Sequence, residues 1–394
     1  MAKSTYSKKP LTGEQKDAII EKGNEDVAKF LEERVQQILK SVEESKEETE
    51  LIWNLPVFQV RYCNPASGVS YNTENSLILS LLTDNENYEN PFFLTAKQGY
   101  DAGLSNKGEK SNYIVHRFGM KFGLLTEKNE LTGKMEPKKD EHGNVQEIFK
   151  RACKLTPVFN IDQFTGEIPE KFKKLMASNI PKIPTPEEVE TVFQAVLETM
   201  PAKLKRKVDP EGQHNYYVPA VDTITLAPSS MFKSRLHELS TLLHENSHSY
   251  GHSSRKNRES LAKYHDDIKY RSYEELVANL SAQAIMKHFN FAISDEFKAE
   301  LDKSFFDNHQ NYDATWAIRG FKNAPMDIFK ASSDADRTAN EIIFKLEENL
   351  KLKYQNDSKL EISDFIKERL VAKVDNDEDK AHNKENKSKI KPKI

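Results

Sequence analysis

The stretch His244-Glu245-Asn246-Ser247-His248 decides how the second half of this chain is read. In a helix, residues four apart project from one face, so both imidazoles can reach a single metal ion. Glu245, between them, can act as a base in metal-assisted hydrolysis without being a ligand. This is the H-E-x-x-H arrangement of zinc hydrolases. The flanks favour a helix: Phe232, Leu236, Leu239 and Leu243 recur at helical spacing, and Gly251 follows where a helix is expected to stop.

Two histidines leave a tetrahedral zinc short of one protein ligand. Ser254, six residues past His248, excludes a third histidine at that place. A carboxylate from a later helix is the alternative. Residues 273–279, Tyr-Glu-Glu-Leu-Val-Ala-Asn, open a helical stretch running to about residue 289. Glu275 is preferred over Glu274 because Asn279 follows four residues later, spaced to hydrogen-bond a metal-bound histidine. Glu274 stays as the alternative, with the plain reading of an acid in a helix's first turn. His237-Glu238 begins a similar pair, but Thr241 supplies no second ligand, so packing is expected there. Tyr270, Tyr273 and His252 are candidates to support the site or to stabilise an oxyanion.

The chain has 394 residues, 30% charged and 37% hydrophobic, which favours two domains with modest cores plus tails. No apolar run approaches the ~20 residues that span a bilayer. The polar start gives no secretory signal, and Cys63 and Cys153 lack metal or disulfide spacing, so a reduced cytoplasmic setting and no membrane partner are expected. A net charge of -4 makes no global case for nucleic-acid binding; any such surface must be local.

The texture predicts a polar tail over 1–12, a first domain over 13–155, a proline-bearing linker over 156–185, a second domain over 186–352 and a polar, lysine-rich tail over 353–394. Within the first domain we expect helices over 13–49, 76–82 and 97–103. Strands are expected over 57–60 and 113–118, a turn over 64–68 and a polar hairpin over 131–143. In the second domain a helix over 186–200 and a strand pair over 216–226 precede the histidine helix, and helices resume over 296–321 and 334–352. From Lys380 onward six lysines face one acid, which reads as a disordered basic tail.

The second half resembles the ArdC-type antirestriction proteins, which join an N-terminal single-stranded-DNA-binding domain to a C-terminal zincin-like metallopeptidase domain. The resemblance rests on Tyr217, Pro219, Asp222 and Ile224, then His244-Glu245-x-x-His248, Gly251-His252, Tyr273-x-Glu275-Leu276-Val277-Ala278 and Trp316. In the first half it rests on Tyr71, Asn75, Leu94-Thr95-x-Lys97-Gln98, Lys107-Gly108-Glu109-Lys110 and the connection from Phe159 to Gln163. The chain departs from the pattern at Asn279, usually Glu, and at Thr73 and Glu74, usually Arg and Gly. The family's opening motif survives only as Trp53 and Pro56.

The resemblance implies an α+β fold of two domains, the second zincin-like with a small antiparallel-edged sheet. It implies one Zn2+ per chain, single-stranded DNA as a partner, a possible protein or peptide substrate and a mobile-element origin. Lys97, Lys107, Lys110, Arg117 and Lys121 could track phosphates; Tyr71, Tyr100 and Tyr113 could stack bases; and Asn75 is a further contact candidate. The rival expectations are a metalloprotease that uses the first domain only for localisation, and a catalytically silent DNA-binding protein with structural zinc.

Overall fold

A computed structural model describes residues 11–44, 60–130, 132–208, 215–292, 321, 324–356 and 367. The first half opens with α1 (Gly13–Glu44), whose Val27, Phe30, Leu31, Val35 and Ile38 form one buried stripe at helical spacing. It continues through α2 (Thr73–Glu86), β1 (Phe93–Leu94), α3 (Ala96–Asp101), β2 (Asn112–Leu124), a hairpin of β3 (Thr126–Lys128) and β4 (Met135–Pro137), and β5 (Glu147–Asn160). β5 pairs antiparallel with both β2 and β1, in the order β1-β5-β2. α1 lies against β5 so closely that a Cβ on Gly23 would sit 2.2 Å from the Cys153 carbonyl oxygen. No side chain but glycine fits there.

The stretch expected to be a linker is structured. β5 runs on to Asn160, a 3-10 turn covers Ile161–Gln163, and α4 spans Glu170–Ser178. Its prolines punctuate elements. Pro157 sits within β5 opposite Tyr113, Pro169 is the N-cap of α4, and Pro186 opens α5 (Pro186–Thr199). Thr185 and Glu188 close a capping box on α5, a device contributing about 1 kcal/mol.

The second half is built on a three-stranded sheet of β6 (Lys203–Arg206), β7 (Tyr216–Val218) and β8 (Thr223–Leu226), ordered β6-β8-β7. β6 and β8 run parallel, while β7 pairs antiparallel with β8 as an edge strand. Asp222, at φ 46, turns the chain between β7 and β8. α6 (Arg235–Ser249) follows, then α7 (Glu259–Ala262), α8 (Ile268–His288) and α9 (Asp327–Asn356). Phe232 falls before α6 begins, and α8 starts five residues ahead of the predicted Tyr273. Leu239, Leu242 and Leu243 of α6 are fully buried with Ile224 and Leu226 of β8 and Ile285 of α8.

The two halves share one core. Leu77, Ile78 and Leu79 of α2 pack in the same cluster as Leu276, Val277 and Leu280 of α8 and Ile328 and Phe329 of α9. The Asp336 carboxylate on α9 accepts from the Thr73 amide, at 3.0 and 3.1 Å, and from its hydroxyl, so it caps the first turn of α2. The fold is α+β, as the sequence implies, but its two sequence domains are fused by apolar contact rather than tethered.

Several expectations differ in extent. α2 begins at Thr73 rather than 76, β2 extends to Leu124, the hairpin lies over 126–137, and α9 starts at Asp327. The tails over 1–10 and 368–394, the strand expected at 57–59, Trp53, Pro56 and the helix over 296–320 with Trp316 lie outside the described residues. Among the described residues no helix is long and apolar enough to cross a membrane.

Candidate metal centre

α6 and α8 cross so that their polar residues meet in a buried seam. His244 and His248 stand one turn apart on α6, with Nε2 atoms 3.0 Å from each other and ring centroids 4.7 Å apart. Across from them α8 presents Glu275. Its Oε2 is 3.4 Å from His244 Nε2, and its Oε1 is 3.6 Å from His248 Nε2. One ligand atom from each of the three residues lies within 4.8 Å of the other two.

The far side of each imidazole is held by the same later helix. Asn279 Oδ1 accepts from His244 Nδ1 at 2.8 Å, and Glu274 Oε1 from His248 Nδ1 at 3.1 Å. Such partners fix the tautomer in which, once the rings are neutral, each Nε2 lone pair faces the gap. Glu274, the alternative to Glu275, touches the site from behind, through the ring of His248. It is clamped by Arg258, whose Nε donates to Oε2 at 2.9 Å, and by the Ser260 hydroxyl at 2.6 Å. Burial alone would raise the Glu274 pKa, but Arg258 and His248 outweigh it and hold the carboxyl down at about 2. Arg258 also donates to the carbonyl of Ser247 at 2.8 Å. A Cβ on Gly251, one residue past the C-cap Tyr250, would come 2.8 Å from the Arg258 guanidinium, so this glycine makes room for the arginine.

Burial tends to lower the His244 pKa, yet the Glu275 carboxylate, with Glu245 behind it, lifts it to about 9. Glu275 moves the opposite way: its burial penalty is overcome by His248, His244 and the Tyr264 hydroxyl. Tyr264 donates to Glu275 Oε1. Glu245 is buried beside the pair. Desolvation raises its pKa, the two histidines pull it back, and the main-chain amide of Tyr217 on β7 hydrogen-bonds it. Tyr217 is fixed in turn by Asp222, which accepts from its hydroxyl at 2.8 Å, and Arg255 Nη1 donates to Asp222 Oδ2 at 3.0 Å.

The donor set fits a divalent cation. Glu275 Oε2 is buried without a hydrogen-bond donor and lies 3.4 Å from His244 Nε2, while Oε1 lies 3.6 Å from His248 Nε2. Nitrogen and carboxylate oxygen on three residues is the set that zinc accepts when a fourth position stays open.

The other candidates fall elsewhere. Tyr273 donates to Asp334 at 2.7 Å, away from the histidines. The Tyr270 hydroxyl lies on exposed Glu259 at 3.3 Å. His252 is engaged with Ser254, its Nδ1 2.7 Å from the hydroxyl in an exposed turn. None of these three hydrogen-bonds a residue of the triad. His237 is buried edge-on to Phe232, with ring centroids 5.4 Å apart. Sequence reasoning missed Tyr264 and Arg258, which reach the site from the loop and short helix between α6 and α8, where no periodicity marks them.

In the first half, Asn75 is buried and spends its amide on the Val115 main chain, donating at 2.9 Å and accepting at 2.8 Å. Arg117 pairs with Glu74, Nε to Oε2 at 3.0 Å, and Glu74 is only 2% exposed. The acid at 74 therefore does not face solvent phosphate, and Arg117 neutralises it. Tyr71 is packed on the core with its hydroxyl donating to the Phe93 carbonyl at 2.8 Å. Lys121 is tied to Glu147. Lys97 is exposed and pairs with Asp101, while Lys107 and Lys110 are exposed around Gly108, whose φ is 93. Tyr100 and Tyr113 are 56% and 41% exposed.

Residues 195–334 match the zincin-like metallopeptidase family, and residues 28–159 match the N-terminal domain of anti-restriction factor ArdC. A DNA primase TraC of Escherichia coli is 27% identical over 282 residues, 70% of this chain but only 23% of the relative. The chain thus spans less than a quarter of that protein. The uncharacterized protein y4eC of Sinorhizobium fredii (strain NBRC 101917 / NGR234) is 26% identical over 281 residues, 70% of this chain and 79% of the relative. Among solved structures, the metal-free crystal structure of the antirestriction ArdC protein from plasmid R388 superposes with a TM-score of 0.52 at 23% identity. It covers 80% of this chain and 97% of the other.

Proposed function

Starting from a chain that belongs to the ArdC-type antirestriction family, an ArdC N-terminal domain followed by a zincin-like metallopeptidase domain, we propose a protein of a mobile element that binds single-stranded DNA and holds one zinc ion for hydrolysis. The observation that carries the reading is the meeting of His244, His248 and Glu275 around an orphaned carboxylate oxygen, with Glu245 buried alongside. A structural site has no use for a buried base beside an open coordination position. The zincin match supports a divalent ion there, and two imidazoles with one carboxylate are a ligand set that zinc takes in hydrolases.

His244, His248 and Glu275 would hold the cation. When bound, it supplies Lewis acidity toward an amide carbonyl and acidifies water. The chain's own groups do the rest. Glu245, made more basic by desolvation, takes the proton of the attacking water and delivers it to the leaving amide nitrogen. Tyr217 holds that carboxylate from the edge strand β7, where an extended peptide can add in β fashion. Tyr264, whose hydroxyl donates to Glu275, takes the supporting role expected of Tyr270, Tyr273 or His252.

For DNA, the solvent-facing set is Lys97, Lys107, Lys110, Tyr100 and Tyr113, on α3, the following turn and the start of β2. Positive charge beside exposed rings is the combination that tracks a single strand. Electrophoretic titration with single- and double-stranded oligonucleotides at two salt concentrations tests this half. Glu245→Gln tests the other: DNA binding and protection from restriction survive if hydrolysis is incidental to them and fail if hydrolysis is the activity that protects.

A further inference from the structure

Away from the histidine pair, α2, α4, α8 and α9 surround a cavity of about 610 Å3 between the two halves of the chain. Its charged groups are Arg61, Lys287, His288 and Asp336. Asp336 is engaged by Thr73, and His288 Nε2 lies 2.9 Å from Glu347. Arg61 is buried, its Nε donating to the Ser70 hydroxyl at 2.7 Å. Lys287 differs from these. Half-buried in the last turn of α8, it has no acidic or hydrogen-bonding partner among the described residues. Burial, with Arg61 close enough to repel it, brings its pKa down to about 7. A basic residue near a helix C-terminus is ordinary; one placed without a counter-ion against a buried arginine is not.

A guanidinium fork beside an ammonium matches the oxygens of a phosphate. The space exceeds what a bare ion fills and lies within the range of small-molecule sites, about 300–1,000 Å3. Leu280 and Ile343 offer an apolar face, and the amides of Asn72, Gln283 and Asn340 line the remainder. We propose that this cavity binds a 5′-mononucleotide unit, free or at the phosphorylated end of a DNA strand, with its phosphate on Lys287 and Arg61. The site is separate from the metal centre and stands whether or not the hydrolytic reading does.

The test is calorimetric titration of the full chain with AMP and with dTMP in phosphate-free buffer. Saturable binding is expected, at least tenfold weaker in Lys287→Met and retained in Lys287→Arg. Because Lys287→Met removes an uncompensated charge, the variant should fold at least as well as the parent, and mononucleotide should raise the melting temperature of the parent alone. A 5′-phosphorylated oligonucleotide that displaces the mononucleotide, where its 5′-hydroxyl counterpart does not, assigns the site to DNA ends. Failure of both oligonucleotides to displace it assigns the site to the free mononucleotide. Absence of saturable binding by either mononucleotide, or equal affinity in Lys287→Met, overturns the proposal.

Discussion

Asn279 Oδ1 lies 2.8 Å from Nδ1 of His244, joining the helix that carries one histidine to the helix that carries the carboxylate. The amide oxygen can only accept, so it selects the tautomer whose Nε2 lone pair faces Glu275. Asn279→Leu removes that selection while leaving the packing of α8 nearly unchanged. Zinc affinity, read by competition with a chelating dye, should fall about 10- to 100-fold, and Asn279→Asp should keep most of it. Equal affinity in Asn279→Leu would show that the bond does not orient the ring.

Arg258 pairs with Glu274, and both are almost fully buried. Removing it leaves a carboxylate without compensation behind His248. Arg258→Met should destabilise the chain by about 3–5 kcal/mol in urea unfolding, and adding Glu274→Gln to the same chain should restore part of that. A single variant as stable as the parent would contradict the clamp.

The exposed lysines and the buried arginine of the first half should separate cleanly. Lys107→Gln with Lys110→Gln should weaken single-strand binding and flatten its salt dependence by about 1.4 units, at ~0.7 per phosphate contact. Arg117→Gln should instead lower stability, because Glu74 is left buried, with little change in salt slope. If Arg117→Gln flattens the slope as much as the lysine pair does, the arginine faces DNA after all.

Lys287 also predicts a pH dependence. Its folded-state pKa, about 7, lies below the ordinary lysine value of 10.5, so the folded chain binds fewer protons between those limits. The parent should therefore gain stability relative to Lys287→Met as pH rises from about 7 to about 10, and the gap should be widest at and below pH 7. A gap that stays constant across that window would mean that the fold does not lower the pKa of the amine.

The histidine helix was legible because helical period and ligand spacing are both local: four residues along the chain fix what two imidazoles can share. Glu275 and Asn279 were legible for the same reason, four apart on one helix. Arg258 and Tyr264 were not, since they reach the seam from an irregular segment whose path depends on packing between α6 and α8. The first half shows the opposite failure. Asn75, Tyr71 and Arg117 have polar or aromatic types suited to DNA, yet tertiary contacts turned them onto Val115, Phe93 and Glu74. Composition cannot report which way a residue faces. The prolines of 156–185 suggested a linker, but Pro157 lies within β5 and Pro169 caps α4, and only Pro181 and Pro184 fall between elements. The shared core was invisible for a simpler reason: Leu77 and Val277 are two hundred residues apart.

The central claim is that His244, His248 and Glu275 hold one divalent cation. Zinc content of the purified chain tests it most directly, measured for the parent, Glu275→Ala and Glu274→Gln after dialysis against a weak chelator. About one equivalent is expected in the parent, with near-complete loss in Glu275→Ala and partial retention in Glu274→Gln. Less than about half an equivalent in the parent, or undiminished zinc in Glu275→Ala, would contradict it.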